Sequence, residues 1–357
     1  MELTGMTLTC GFTYTPPPPE NKAAWFGGGY NGPRTSTVQR ITYATDTATA
    51  SVRGPLSGPK TDEAAASNFT DGWFAGGGGP GGGSVVDRIT FATDTATASV
   101  RGPLSAARYL FAAAGNTTDG WFGGGRTVST VDRITYATDT ATASVRGPLS
   151  AANYSLAAAG NSDYGWFGGG YSQPTSSAFS TVNRITYATD TATASVRGPL
   201  STATHRLAAA GNSDYGWFGG GRGGPVYSTV ARITYATDTA TASVRGPLSL
   251  ARYKLTATGN NDYGWFGGGI DGSYFSTVQR ITYATDTATA SVRGPLSSVR
   301  AAMGAAGNTT DGWFGGGENP VTSTVDRITY ATDTATASVR GPLSLARTYL
   351  AAASGVQ

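Results

Sequence analysis

The chain has 357 residues, of which only 13% are charged and 52 are glycine, with three lysines and four glutamates in all. Long helices draw on Leu, Glu, Lys and Gln, so this composition argues against a helical protein and for short strands joined by tight turns. The formal charge of +3 is carried almost wholly by arginines that recur singly beside aspartates rather than in runs, so nucleic acid is not an expected partner.

In chain order, residues 1–22 come first and stand apart from everything that follows. The stretch "MELTGMTLTCGFTYTPPPPENK" has no basic segment followed by an apolar one, so no secretory signal is expected and the protein is expected to be made and folded in a cytosol. "MTLTCGFTYT" reads as an extra strand and Pro16–Pro19 as a stiff polyproline spacer, together a docking segment that adds to a sheet edge of a larger assembly. Cys10 is the single cysteine, so no disulfide forms within the chain, and no apolar run reaches membrane-spanning length.

From residue 23 to 357 the chain repeats itself. Trp25, Trp73, Trp121, Trp166, Trp217, Trp265 and Trp313 each open a "WFGGG"-like motif, and "ITYATDTATASVRGPLS" recurs seven times, once with Phe91 for Tyr. The period of about 48 residues is that of a four-stranded propeller blade. In the unit from Ser249 to Arg293, "ARYKLTATG" reads as a first strand, "YGWFGGG" as a second, "STVQRITYA" as a third and "TATASVRG" as a fourth, with Pro295 ending the ladder. Small residues in "LAAAG" suit the crowded axis, and the Trp, Phe, Ile and Tyr positions suit the contacts between blades. The first unit lacks its first strand and the chain finishes on "LARTYLAAASG". Pairing Leu350–Ser354 with the strand at Trp25 therefore closes an all-β, seven-bladed propeller.

"LSLARYKLTATGNNDYGWFGGG…STVQRITYATDTATASVRGPLS" resembles the kelch repeat, with a small-residue strand, an aromatic followed by paired glycines, and a Tyr-containing strand and turn. Kelch repeats usually carry a Trp shortly after that Tyr, where this chain has Ala50, Ala98 and Ala290. The "DTATASVRGPLS" wording is also similar to kelch-like repeats in tail-fibre-like proteins of marine bacteriophages and cyanophages. Some kelch-type propellers are copper oxidases with several His and Tyr ligands, a site that a chain with His205 alone does not assemble.

Catalytic chemistry is not expected. His205, at the start of a first strand, reads as a tolerated surface residue; there is no Cys/His cluster for zinc, no phosphate-binding loop, no expected metal and no expected cofactor. Asp46, Asp94, Asp139, Asp190, Asp238, Asp286 and Asp333 sit in the "ATDTAT" turn and are expected to cap it. Asp71, Asp119, Asp163, Asp214, Asp262 and Asp311 read as a second set, in the turn before each tryptophan. One carboxylate per turn is too few oxygens for calcium. The arginines of "RIT" and "SVRG" are expected to hold blades in register by pairing with the turn aspartates or stacking on Tyr and Trp. A hydrolase or lyase would need paired acids, and among the variable loops only Asp271 and Glu318 occur, in different blades.

Variation gathers in the loop after the glycines, where Tyr30, Arg34, Arg126, Tyr171, Phe179, Arg222, Tyr227, Tyr274 and Phe275 form the expected binding face. Tyr171–Phe179 and Tyr227–Phe275, on three neighbouring blades, are its expected centre. The chain is accordingly expected to be a non-enzymatic virion component of a phage, a tail-fibre, receptor-binding or decoration protein. Residues 1–22 would hold other virion proteins and the loops a host surface glycan or protein. The alternative is a free lectin-like propeller.

Overall fold

Each tryptophan-glycine unit folds into an antiparallel sheet of four strands, and seven such blades stand in a ring in the computed structural model, which describes residues 22–78, 83–126 and 128–354. The expected docking strand and proline spacer lie outside the described residues, as does most of the loop 79–84. Blade 4 shows the common plan, with strands Ala157–Gly160, Tyr164–Gly168, Val182–Thr186 and Ser195–Arg197 running outward from the axis. Small hairpins, Tyr171–Ser172 with Ser177–Ala178 and Ile270–Asp271 with Ser273–Tyr274, decorate blades 4 and 6.

The ring closes as expected. Ala351–Ala353 supply the innermost strand of blade 1, pairing Trp25 with Ala353, Phe26 with Ala352 and Gly27 with Ala351.

The strands are shorter than the sequence pattern suggested. In blade 6 they reduce to Thr256–Gly259, Tyr263–Gly267, Val278–Thr282 and Ser291–Arg293. The lost residues serve the neighbouring blades. Lys254 turns into the left-handed region (φ 54), and Tyr283–Thr285 wind into a single 3-10 turn.

Blade-to-blade packing accounts for the constant seventeen residues. At the boundary of blades 4 and 5, Trp166 and Val182 pack against Phe218, Ile233, Tyr235 and Ala242, with Leu200 of the "GPLS" connection buried among them. Every tryptophan stacks flat on the aromatic ring just after the next blade's third strand, from Trp25 on Phe91 (3.8 Å) round to Trp313 on Tyr43 (3.9 Å). Parallel ring stacking of this kind adds to simple burial. The stacked tryptophan comes in each case from the preceding blade.

The turn aspartates act across the same boundaries rather than only on their own turns. Asp190 Oδ2 accepts from Trp121 Nε1 (2.8 Å) and Arg133 Nη1 (3.2 Å), and lies 3.4 Å from Arg146 Nε, all three donors belonging to blade 3. The same triad recurs at every boundary and ends with Trp313, Arg327 and Arg340 on Asp46. A buried carboxylate that unites three donors is costly to delete, because the donors stay behind without an acceptor. Asp190→Ala is therefore expected to destabilise the protein by about 3 kcal/mol, read as a lowered midpoint in urea. Val196→Ala, on the exposed outermost strand of blade 4, should leave the midpoint almost unmoved.

The second aspartate set divides in two. Asp71, Asp119 and Asp311 begin second strands and lie 3.5–3.6 Å from Arg88, Arg133 and Arg327. In blades 4, 5 and 6 that strand position is Tyr164, Tyr215 or Tyr263, with the matching arginine 4.5–4.7 Å over the ring. Asp163, Asp214 and Asp262 fall one residue earlier, in the turn, and donate their N–H to the Oδ1 of Asn161, Asn212 and Asn260. The same arginine thus finds either a carboxylate or a π face, and the two kinds of blade are interchangeable.

Candidate functional site: an axial cup on the loop face

The residue just before each "LAAAG"-like strand is built in the same way in every blade. Asp62, Leu110, Ser155, Arg206, Lys254, Ala302 and Tyr349 all adopt φ between 53 and 57°. Each non-glycine residue held there costs on the order of 1 kcal/mol. What holds them is a closed circuit of backbone hydrogen bonds. Leu110 N–H donates to Asp62 O (2.9 Å), Ser155 to Leu110, Arg206 to Ser155, Lys254 to Arg206, Ala302 to Lys254, Tyr349 to Ala302 and Asp62 to Tyr349 (3.1 Å). The circuit ties all seven blades together around the axis and turns seven different side chains towards one cup of about 380 Å³.

Below the rim, Phe111, Leu156, Leu207 and Leu255 form an apolar floor, and in blade 2 Glu63 takes the corresponding place. Glu63 is buried, its carboxyl packed beside Gly28 in the seam with blade 1. Burial pushes its carboxyl up to about 7 and that of Asp62 up to about 6. On the far rim Lys254 Nζ pairs with Glu318 (2.8 Å) and meets Tyr349 Oη (2.5 Å), which in turn donates to Glu318 Oε2 (2.8 Å). Arg206 has no ion pair among the described residues. The cup is polarised, with acids at blade 2 and the unpaired cation at blade 5.

This geometry carries a pH prediction. A carboxyl whose folded pKa is raised favours the folded state while protonated, so stability is full below the unfolded pKa of 4.5 and falls as pH rises towards about 7. For Glu63 the loss is about 3 kcal/mol. Glu63→Leu, which restores the apolar residue used by other blades, should raise the melting temperature by several degrees at pH 8 and flatten the pH profile between 5 and 7.5. A variant whose melting curve falls with pH as steeply as the parent's would contradict this account.

The sequence-predicted loop residues share the face of the cup, as bridges to the connection leading into the same blade show: Tyr30 to Thr348, Tyr171 to Tyr154, Arg222 to His205 and Ile270 to Tyr253. Tyr30, Arg34 and Arg222 are exposed. Arg222 lies 5.6 Å over Tyr253, while Arg126 hydrogen-bonds Gln173 and Tyr109. Tyr171 is half-buried against Tyr154 and His205 (centroids 5.6 and 4.9 Å). Phe179, Tyr227 and Phe275 are also half-buried, and their carbonyls accept from Thr204, Arg252 and Arg300 of the next connection, so these three anchor loops as well as facing outward. Tyr274 hydrogen-bonds Glu318. His205 is half-buried rather than free at the surface, and burial pushes its imidazole down to about 4, so it is neutral at physiological pH.

The two acids of the variable loops lie in different blades: Asp271 is exposed on the blade 6 hairpin and Glu318 is spent on Lys254 and Tyr349. The acids that do adjoin, Asp62 and Glu63, were missed because they precede the first strand and not the variable loop. The signal available was the residue before the recurrent Leu, which differs in every unit. At the opposite mouth of the axis a wider funnel of about 620 Å³ is lined by turn residues. There Asn116, Asn161, Asn212 and Asn260 donate to carbonyls of the following blade. Those amides are occupied in joining blades, and the funnel's lining hardly varies.

Fold and cup define a seven-bladed β-propeller with a variable axial site. The chain matches no protein-family model and no curated protein. Among solved structures it is similar to that of YjhT, with 12% identity, a TM-score of 0.59, and coverage of 78% of this chain and 98% of that one. At that identity the likeness concerns the fold alone. Among the described residues no helix is long and apolar enough to cross a membrane, and no cluster of three or more His, Cys, Asp or Glu side chains is placed to hold a metal ion.

Proposed function

We propose that this propeller, kelch-like in its repeat, is a non-enzymatic attachment protein of a phage particle, a tail-fibre, receptor-binding or decoration component that grips its target with the loop face. The observation that supports this reading is the distribution of change. The blade frames are near-identical, while the differences collect on one face, in the loops and in the seven rim residues of the cup. Rigid scaffolds with one variable face are built for recognition. Residues 1–22 are assigned the contact with other virion proteins, and a host glycan or protein is assigned to the loops.

Density-gradient fractionation of the source material tests the setting: the protein should co-migrate with intact particles, and recovery only in the soluble fraction would overturn it. The surface is tested by the Tyr171→Ala/Arg222→Ala double variant. It should keep the parent's melting temperature to within a few degrees and lose at least tenfold in retention on cells of the host that yields the particles. The second reading, a free lectin-like propeller, is favoured by the arginine-aromatic pairs at Arg222–Tyr253 and Arg126–Tyr109. It predicts binding to several equivalent loops on a glycan array.

A further inference from the structure

We propose that the loop face binds one chain of an acidic polysaccharide along an arc of Arg126, Tyr154, Tyr171, His205, Arg222 and Tyr253. Its sugar rings would lie on the aromatic side chains and its carboxylates on the two guanidinium groups. This rests on the attachment reading of the loop face and gives that face a ligand class.

The arc is continuous across three blade boundaries. From blade 3 to blade 4, Arg126 Nε donates to Gln173 Oε1, and the guanidinium is close enough to Tyr154 to interact with it electrostatically. Within blade 4, Tyr154 meets Tyr171 edge to face (centroids 5.6 Å). From blade 4 to blade 5, Tyr171 lies 4.9 Å from His205, and from blade 5 to blade 6, Arg222 sits 5.6 Å over Tyr253. The equivalent positions farther round the ring do not continue it. Blade 7 has Ala301 bridged to Glu318, and Glu318 is held by Lys254 and Tyr349. The blades are therefore unequal, and the propeller offers one such surface.

Charge sets the chemistry. Neither Arg126 nor Arg222 is in an ion pair among the described residues. Against these two cations the variable loops of blades 3 to 6 set a single acid, Asp271. A guanidinium can donate two parallel hydrogen bonds to a carboxylate, and the C–H faces of sugar rings pack on aromatic rings. Between the two arginines stand only uncharged rings, because burial pushes His205 down to about 4 and keeps it neutral at physiological pH. That spacing matches a polymer in which carboxylate-bearing sugars alternate with uncharged ones. A nucleic acid strand carries a phosphate on every nucleotide and calls for a denser row of cations.

Titration calorimetry with hyaluronate oligosaccharides, in which a uronate alternates with a neutral sugar, tests the proposal against dextran oligosaccharides, poly-L-glutamate and an oligothymidylate. The octasaccharide should bind as one chain per propeller, at least tenfold more tightly than the disaccharide or any control. Its affinity should fall as salt rises. Arg126→Ala, Arg222→Ala and Tyr154→Ala should each weaken it at least fivefold. Val299→Ala, exposed in the connection into blade 7, should leave it unchanged. Equal binding of a control, several equivalent sites per propeller, unchanged affinity in a folded Arg222→Ala, or no binding of the octasaccharide would overturn it. Retention on host cells reads the attachment role separately. Cells held through Tyr171 and Arg222 with no binding of hyaluronate would remove this proposal and leave attachment standing, and hyaluronate binding without cell retention would do the reverse.

Discussion

Gly102→Ala is expected to cost more than about 4 kcal/mol and to leave little folded protein at 37 °C, although it adds one methyl group. A Cβ on Gly102 would lie 1.5 Å from the carbonyl oxygen of Ala141 and 2.0 Å from its carbon. Both atoms belong to the backbone of the next blade's turn, so no side-chain rotation relieves the overlap. Gly102 N–H donates to Asp139 O (2.8 Å) and the neighbouring Pro103 O accepts from Ala143 N–H (2.8 Å), which pins the two segments at this separation. Moving them apart would also pull Asp139 from Trp73 and from Arg88. The same approach recurs at Gly54, Gly147, Gly198, Gly246, Gly294 and Gly341. Gly58→Ala is the control: no heavy atom lies within 4 Å of a Cβ there, and its stability should stay within about 0.5 kcal/mol of the parent. Equal urea midpoints for the two variants would refute the close-approach account.

Removal of residues 350–357 is the second large effect. The deletion strips blade 1 of its innermost strand and leaves the edge at Trp25–Gly27 unpaired. It also takes Leu350 from the boundary with blade 7 and Ala353 from that with blade 2. Losing the buried leucine alone corresponds to about 2–5 kcal/mol, and the lost ladder bonds add to it. An exposed edge pairs with another chain, so the truncated protein should melt at least 10 °C lower and run as dimers or larger species in size-exclusion chromatography with light scattering. A peptide spanning 347–357, added in trans, should restore the parent's elution and part of the lost stability. A truncated chain that eluted like the parent and kept its melting temperature would show that the ring does not depend on this closure.

Much of the architecture was legible because it is periodic. A tryptophan about every 48 residues, a proline after each fourth strand and an unpaired alanine strand at the finish define the blades and their closure without coordinates. Strand lengths were less legible, since residues such as Lys254 and Tyr283 continue their strands in sequence but make their contacts with a neighbouring blade. The second aspartate set looked uniform for a related reason. A one-residue offset between "TTDGW" and "SDYGW" is hard to see in the chain, and it exchanges a strand position for a turn position.

The sequence by itself determined the blade count, the order of strands, the closing segment, the face on which variation gathers, and the scarcity of histidine and cysteine. Only the tertiary structure decided which residues meet at the axis. Asp62, Ser155, Arg206 and Tyr349 are dozens of residues apart, and no local pattern links them. They become neighbours because each blade contributes one left-handed residue to a single hydrogen-bonded ring, and a ring brings together what is equivalent in the repeat, not what is adjacent in the chain.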